Sequence, residues 1–222
     1  MQIEPIPRWI AVLTVLMLIF ALYLDGPITS RMPADETRFG DFHHLLRALG
    51  YLPTWFIIGL LLILSGKSDQ SGAGKTAALA IVSTATLSGL LAEILKVFVR
   101  RPDPGIGTLG SWTPVVLEGG WWNPEWWNGA DLCFPSGHAA VAWGAAIAIS
   151  RRWPGAAPVM LVLAAGCAAG RVQARGHYVS DVVASLLVAL IISFFVEKLI
   201  GRVPEKPSRS VQESDLSPDT VK

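Results

Sequence analysis

Six long apolar stretches constrain this chain more than any other feature of its sequence. Each approaches the roughly 20 apolar residues that an α-helix needs to cross the hydrocarbon core of a bilayer. They are Trp9–Leu24, Tyr51–Ser65, Thr76–Val99, Ser136–Ser150, Pro154–Gly170 and Ser180–Ile200. Because unpaired backbone groups are costly in lipid, such stretches fold as helices. The pattern predicts an all-α polytopic membrane protein, built as a bundle of six transmembrane helices.

The composition also indicates a membrane protein. Hydrophobic residues make up 52% of the 222 residues and charged residues only 16%, whereas soluble domains carry about 25% charged residues. The formal net charge of +1 gives no overall field for binding nucleic acid. We expect a six-helix membrane domain over residues 1–200. Residues 201–222 are polar and rich in serine and proline, so we expect a disordered cytoplasmic tail there.

Lysine and arginine near the ends of the spans predict the orientation, because positive charges collect on the cytoplasmic side. With both termini in the cytoplasm, nine of these residues lie inside and eight outside. Five of the eight outer residues belong to polar clusters. If these five are left out, nine basic residues lie inside and three outside. These five are Lys96, Arg100, Arg101, Arg171 and Arg175. We expect the clustered charges to serve a function at the extracytoplasmic face.

Three polar clusters are predicted to meet at that face. The first runs from Lys96 past Arg101, where the third span ends. The second is Phe134–His138, where the fourth span begins, and the third runs from Arg171 to Asp181, between the fifth and sixth spans. Charged residues at a membrane boundary are costly, so three such clusters on one face indicate a functional site.

The residue types in these clusters suit a phosphate group. Lys96, Arg101 and Arg171 supply cations, and the guanidinium fork of arginine pairs well with phosphate oxygens. Ser136 is a natural N-cap, and Gly137 lets the backbone approach a ligand closely. The start of the fourth helix is therefore predicted to form a cradle for an anion.

Two histidines add catalytic chemistry to this site. His177 and Asp181 are four residues apart, so on a helix both side chains would lie on one face. A carboxylate that holds one imidazole nitrogen leaves the other free to attack, and His138 could protonate a leaving oxygen and activate water. The residues alone leave open which histidine attacks. No set of Asp, Glu, His and Cys has metal-ligand spacing, so we expect neither a metal nor a cofactor.

Two further segments are expected at the membrane surface. Residues 38–49 have the pattern of a short amphipathic helix, on which His43 and His44 would be exposed rather than bound to metal. Residues 119–127 contain four tryptophans, which favour the membrane–water interface. This segment is predicted to be an aromatic belt, a lip that receives a lipid head group, or both.

These motifs resemble the type 2 phosphatidic acid phosphatase (PAP2) family, membrane relatives of the vanadium haloperoxidases. The family pattern consists of Lys-x6-Arg-Pro, Pro-Ser-Gly-His and Ser-Arg-x5-His-x3-Asp. The second block is complete at Pro135–His138. The third is matched by Arg171, His177 and Asp181, with Gly170 in place of the leading serine.

The first block departs from the family pattern. Asp103 stands seven positions after Lys96, where the family has arginine. Two explanations are open: either Arg101, two residues earlier, takes over the phosphate contact, or the loop shifts. An acidic residue at this place would repel a phosphate unless it turned away or paired with Arg100.

The resemblance implies specific roles for the matched residues. It implies a phosphohistidine intermediate on His177, with His138 as the general acid. It also implies that the phosphate is held by the remaining matched residues, which are Lys96, Arg171, Ser136 and the amide of Gly137.

The activity implied is that of a lipid phosphate phosphatase at the outer, periplasmic face of the inner membrane. Its substrate would be a phospholipid or glycolipid phosphate such as lipid A, undecaprenyl diphosphate or phosphatidylglycerol phosphate. Two alternatives stay open: a degenerate relative that binds lipid phosphate without turnover, and a vanadate-dependent haloperoxidase-like enzyme. The sequence does not indicate the oligomeric state.

Overall fold

The structure, a computed structural model, describes residues 7–32, 40–65, 72–105, 112 and 131–200. Within them every regular element is helical, and the only β-type pairing is an isolated antiparallel bridge between Pro102 and Leu132. The predicted all-α class is therefore confirmed for this part of the chain. The predicted tail (201–222) and the tryptophan-rich segment (119–127) lie outside the described residues.

Seven α-helices follow one another along the chain. They are α1 (Arg8–Thr29), α2 (Asp41–Ala48), α3 (Leu52–Ser65), α4 (Ala73–Val99), α5 (Gly137–Arg152), α6 (Ala157–Gln173) and α7 (Val179–Ile200). A short 3-10 helix, Pro154–Ala156, precedes α6.

Four membrane spans are supported by helix length and composition. They are α1, α4, α7 and the segment Pro154–Gln173 that contains α6. A fifth is reached only if α2 and α3, which are bent by 64° from one another, are counted as one broken span. The predicted total of six is thus not confirmed among the described residues, and α5 is the helix that falls short.

The shortness of α5 has a structural reason, because this helix lies inside the bundle. Its 16 residues extend about 24 Å, less than the roughly 30 Å of a hydrocarbon core. It packs against α4, α6 and α7. Most of its buried residues are alanines, and Gly144 approaches the Thr84 carbonyl of α4, where an added Cβ would lie only 2.8 Å away. Small residues allow this close packing, so α5 needs little of the apolar bulk that a lipid-facing helix carries.

The helix α1 shows the opposite pattern, with most of its surface open to the surroundings. Large apolar side chains such as Leu16 and Phe20 are exposed, as expected for contact with lipid. Its buried residues are Thr14, Ala21 and Asp25, on the side that packs against α7. A buried carboxylate in such a helix requires a partner.

The predicted amphipathic segment forms α2, and it does more than rest on the surface. Phe42 is 70% exposed, as expected for an apolar side chain at the interface. The other side of α2 packs against α6. The turn after α2 is held to α3 because Thr54 Oγ1 donates to Ala48 O (2.7 Å) and Trp55 Nε1 donates to Leu49 O (2.8 Å).

Candidate active site

The structure brings the three polar clusters together through backbone hydrogen bonds. The amide of Cys133 donates to the carbonyl of Arg101 (2.8 Å), which joins the segment after α4 to the segment before α5. The amide of Ser136 donates to the carbonyl of Asp181 (3.2 Å), and Ser185 Oγ donates to Ser136 O (2.7 Å). The start of α5 is thereby fixed against the start of α7.

The start of α5 has the local geometry of an anion site. Ser136 is the N-cap, as predicted, and its Oγ accepts from the amide of Ala139 at 3.5 Å. At Gly137 a Cβ would collide with the carboxylate of Glu93 and would lie 3.9 Å from Lys96 Nζ. A larger residue here would displace the Glu93 side chain. The Glu93–Lys96 ion pair (2.8 Å) lies directly beside the helix N-terminus.

The orientation of His177 is fixed by a backbone carbonyl. Its Nδ1 lies 2.8 Å from the carbonyl oxygen of Cys133. Since a carbonyl can only accept, Nδ1 carries the proton and Nε2 keeps the lone pair in the neutral ring. Burial lowers the pKa of His177 below the usual 6.5 of histidine, against the opposing effect of Asp181. The neutral, nucleophilic form is thereby favoured.

Asp181 has a different place from the predicted one. Its Oδ2 is 3.8 Å from His177 Nδ1, which is too long for a hydrogen bond. The same oxygen accepts from the amide of Tyr178 at 2.7 Å. Asp181 therefore acts on the imidazole ring by charge rather than by a direct hydrogen bond. The carbonyl of Cys133 takes the orienting role instead, while burial raises the pKa of the Cys133 thiol and keeps it protonated.

His138 lies at the first turn of α5, packed against the turn between α2 and α3. The Tyr51 ring meets the imidazole edge to face, with the ring centroids 4.9 Å apart. Nε2 of His138 is buried and has no hydrogen-bond partner in the described part of the chain. This nitrogen is available to exchange a proton with a ligand.

Lys96 and Arg171 lie close to both histidines, and their charges act on both rings. The guanidinium of Arg171 extends over Gly176, where an added Cβ would lie 2.7 Å from Nη2. Positive charges and the N-terminus of α5 thus lie near the two imidazoles. This environment suits a phosphate, whose oxygens need several donors and positive charges.

Arg101 is placed quite differently from Lys96 and Arg171. It is 2% exposed, and its Nη2 pairs with Asp25 Oδ2 (2.7 Å) while Nη1 pairs with Asp181 Oδ1 (2.5 Å). Nη1 also donates to Ser180 Oγ (2.6 Å), whose hydroxyl in turn donates to Asp25. These contacts favour a structural role for Arg101 over the phosphate-binding role predicted from the sequence.

The geometry of the chain explains why Arg101 is directed inward. The helix α4 ends at Val99, and Arg100 takes a left-handed conformation (φ 51°) at the C-cap. The chain turns there, and the next residue enters the space between α1 and α7. Asp103, at the family's arginine position, accepts a hydrogen bond from the amide of Gly105 at 2.8 Å.

Sequence reasoning missed two residues near this site, Asp25 and Arg47. Asp25 is 1% exposed, lies near the end of α1 and accepts from the Ser180 amide (2.9 Å) at the start of α7. A lone carboxylate at the end of an apolar span was the signal that could have identified it. For Arg47, on α2, the sequence offered only one signal. It is a basic residue on the predicted outer side of the membrane, where few basic residues are expected.

The described residues contain no group of three or more His, Cys, Asp or Glu side chains that could hold a metal ion. The site consists instead of imidazoles, cations and backbone donors. Groups of these types can bind an anion, transfer a proton and attack an electrophilic centre.

Comparison with known proteins identifies the family and the fold of this chain. The PAP2 superfamily matches residues 77–203, more than half of the chain, and this range contains all three motifs. A solved structure described as the first transmembrane PAP2-type phosphatidylglycerolphosphate phosphatase from Bacillus subtilis is similar in fold, with a TM-score of 0.56 and 18% identity. The similarity covers 87% of this chain and 97% of that chain. No curated protein matches the chain in sequence. This chain belongs to the PAP2 superfamily.

Proposed function

We propose that this protein is a phosphohydrolase that removes phosphate from a membrane lipid, with His177 as the nucleophile. The observation that carries the proposal is the hydrogen bond of 2.8 Å between His177 Nδ1 and Cys133 O. It keeps the lone pair on Nε2, in a ring on which the charges of Lys96 and Arg171 act. A nucleophile held in one tautomer among cations suits attack on phosphorus.

In the first step, Nε2 of His177 forms a bond to phosphorus while the bond from phosphorus to the lipid oxygen breaks. His138 starts as the imidazolium, a form that the negative charge of the bound phosphate favours, and donates the proton on its Nε2 to the departing oxygen. The attack leaves the His177 ring cationic. Asp181, whose Oδ2 is 3.8 Å from Nδ1, stabilises that charge.

In the second step, water replaces the histidine on phosphorus. His138, now neutral, takes a proton from the water as its oxygen attacks. The phosphorus–nitrogen bond breaks, and inorganic phosphate leaves with both histidines restored. Arg171, Lys96 and the N-terminus of α5 stabilise the charge on the phosphate oxygens in both steps.

The surroundings of the site support a lipid substrate. The described helices expose large apolar side chains to the bilayer, so a lipid could bring its head group to the site from the side. We propose that the site faces the extracytoplasmic side of the inner membrane, as the lysine and arginine distribution predicts. The substrate classes to compare are phosphatidylglycerol phosphate, lipid A and undecaprenyl diphosphate.

A phosphatase panel with the purified protein in detergent tests this proposal. We expect inorganic phosphate to be released from at least one of the three lipids, with an acid-labile phosphoryl group on a peptide that contains His177. Orthovanadate should inhibit. Orthovanadate binding without release from any lipid would favour a binding protein, and vanadate-dependent halide oxidation would favour the haloperoxidase alternative.

Glu93 is expected to compete with the substrate for the anion site. Its carboxylate pairs with Lys96 beside Gly137, at the place where a phosphate would lie. The Glu93→Gln variant should therefore be inhibited by orthovanadate about two- to fivefold more strongly than the wild type, because the exposed ion pair is worth little by itself. The matched control is Glu197→Gln, since Glu197 pairs with Arg152 at the opposite end of α7. Weaker inhibition of Glu93→Gln would mean that the carboxylate positions Lys96 for the phosphate.

A further inference from the structure

The phosphate site has lost one of the cations of its family pattern. Asp103 replaces an arginine of the first motif, and Arg101, the neighbouring candidate, is enclosed by Asp25 and Asp181. A phosphate that must bind and react needs its charge matched by several donors. A further cation is therefore expected from another part of the structure.

The helix α2 lies against the part of α6 that leads into the third motif. Leu46 packs on Gly166, where an added Cβ would lie 3.1 Å from a Leu46 methyl carbon. The ring of His43 packs on Gly170 in the same way, with 3.2 Å to its Cε1. Gly170 occupies the position at which the family has serine, and its missing side chain makes room for the imidazole. His43 is thus partly buried rather than exposed as predicted.

Arg47 shares this side of α2. It is four residues after His43, so the two side chains project from the same face of the helix. That face meets α6 and the site, whereas Phe42 and Leu45 are exposed on the other side. The helix α2 therefore carries an apolar surface toward lipid and a basic surface toward the active site.

The turn after α2 packs directly against the second catalytic histidine. An added Cβ at Gly50 would lie 2.7 Å from the Cβ of His138, so the backbone at Gly50 touches this residue. Tyr51 contacts the His138 ring, and the guanidinium carbon of Arg47 is 5.9 Å from the centre of the Tyr51 ring. Arg47 joins Arg171 and Lys96 as a positive charge that acts on His138.

Among the described residues, Arg47 is a charged group without a counter-ion. Its Nε is buried without a hydrogen-bond partner, and the residue forms no ion pair within the described ranges. Arg47 is half-buried, and burying an unpaired guanidinium nitrogen costs free energy, so an anion at this place would be bound favourably. The buried arginine of the site, Arg101, has two carboxylates by comparison.

We propose that Arg47 binds the phosphate of the substrate and replaces the arginine that the first motif lacks at Asp103. This inference rests on the proposed function, and it adds a residue from outside the three motifs to the phosphate site. It also gives α2 a role: the interfacial helix contributes a cation to the pocket from the membrane surface. The ligand class is a phosphoryl group, whether on a lipid or free.

The test compares Arg47→Gln and Arg47→Lys with the wild type in two assays. One is orthovanadate binding to the purified protein by calorimetry, and the other is phosphate release from the best lipid substrate. We expect Arg47→Gln to lose roughly 10- to 100-fold in orthovanadate affinity and in kcat/KM, since hydrogen bonds to charged groups are worth that much. Arg47→Lys should recover part of the loss. Thermal unfolding in detergent identifies any variant that has not folded.

The matched control is Arg31→Gln. Arg31 is an exposed arginine just after α1, and its Nη1 donates to the carbonyl of Pro27 in that helix at 2.6 Å. It should behave as wild type in both assays. If Arg31→Gln and Arg47→Gln lose lipid turnover equally and keep orthovanadate affinity, Arg47 binds bilayer phosphates and not the substrate, and the inference is overturned.

A rescue variant makes the inference specific. Adding Asp103→Arg to Arg47→Gln should restore orthovanadate affinity to within about threefold of the wild type, because it returns an arginine to the family position. Unchanged orthovanadate affinity in folded Arg47→Gln would overturn the inference while the phosphatase stands. If the wild type released no phosphate from any lipid, the proposed function would fail, and the calorimetry would still decide whether Arg47 binds the anion.

Discussion

Replacing His177 by alanine is expected to lower phosphate release by at least about 10⁴-fold, because removal of a nucleophile eliminates the covalent route. The imidazole is held by the Cys133 carbonyl and the charges of Lys96 and Arg171 act on it, so the variant loses an oriented nucleophile. The phosphorylated peptide should disappear at the same time. Orthovanadate should still bind, since the cations and the start of α5 are unchanged.

The matched control for this variant is His44→Ala. His44 is an exposed histidine of α2, whereas His177 is 5% exposed. Its loss should leave the rate within about twofold of the wild type, as expected for a surface position. Activity of His177→Ala within tenfold of the wild type would show that another group attacks phosphorus.

The second large effect is expected at Arg101, and it concerns stability. Arg101→Met would leave Asp25 and Asp181 buried without their cation. Removing one partner of a buried ion pair costs about 3–5 kcal/mol, far more than the pair itself contributes. The thermal unfolding temperature in detergent should fall sharply.

Two comparisons separate this effect from a loss of phosphate binding. Adding Asp25→Asn to Arg101→Met removes one of the stranded charges, so part of the stability should return. Arg31→Met is the exposed control and should change the free energy of unfolding by less than about 0.5 kcal/mol. If Arg101→Met unfolds at the wild-type temperature and binds orthovanadate weakly, Arg101 contacts phosphate as the sequence predicts.

The two effects are linked through Asp181. Its Oδ1 pairs with Arg101, and its Oδ2 lies 3.8 Å from Nδ1 of His177. The buried ion pairs thus hold the carboxylate that we propose to stabilise the cationic ring, and Asp25 connects the same network to α1. We expect Asp25→Asn to slow phosphate release through this positioning effect, with little change in KM.

The sequence predicted the helices well where each one faces lipid, because apolar length is then required along the whole span. It was least informative at α5, where burial inside the bundle selects alanine and glycine instead. The motif Pro135–His138 and the spacing of His177 could be recognised in the sequence, because each lies in a short segment. The local geometry of such a segment depends mainly on residues that are neighbours in the chain. The N-cap at Ser136 is an example.

The hydrogen-bond and ion-pair partners of the polar side chains could not be predicted from the sequence. Arg101 meets residues 76 and 80 positions away in the chain, and His177 meets a carbonyl 44 positions away. Such contacts depend on how the helices pack and on one left-handed residue, Arg100, at the end of α4. Spacing alone therefore favoured Asp181 as the group that orients His177, while packing placed the Cys133 carbonyl there.

By itself, the sequence determined that the chain is an all-α membrane protein and predicted an anion site with a histidine pair, because apolar length, helix periodicity and motif spacing are local properties. Only the tertiary structure decided which cations face that site. It placed Arg101 in a buried ion pair and brought Arg47 beside His138, since the free energy of a charged group depends on neighbours that distant segments supply.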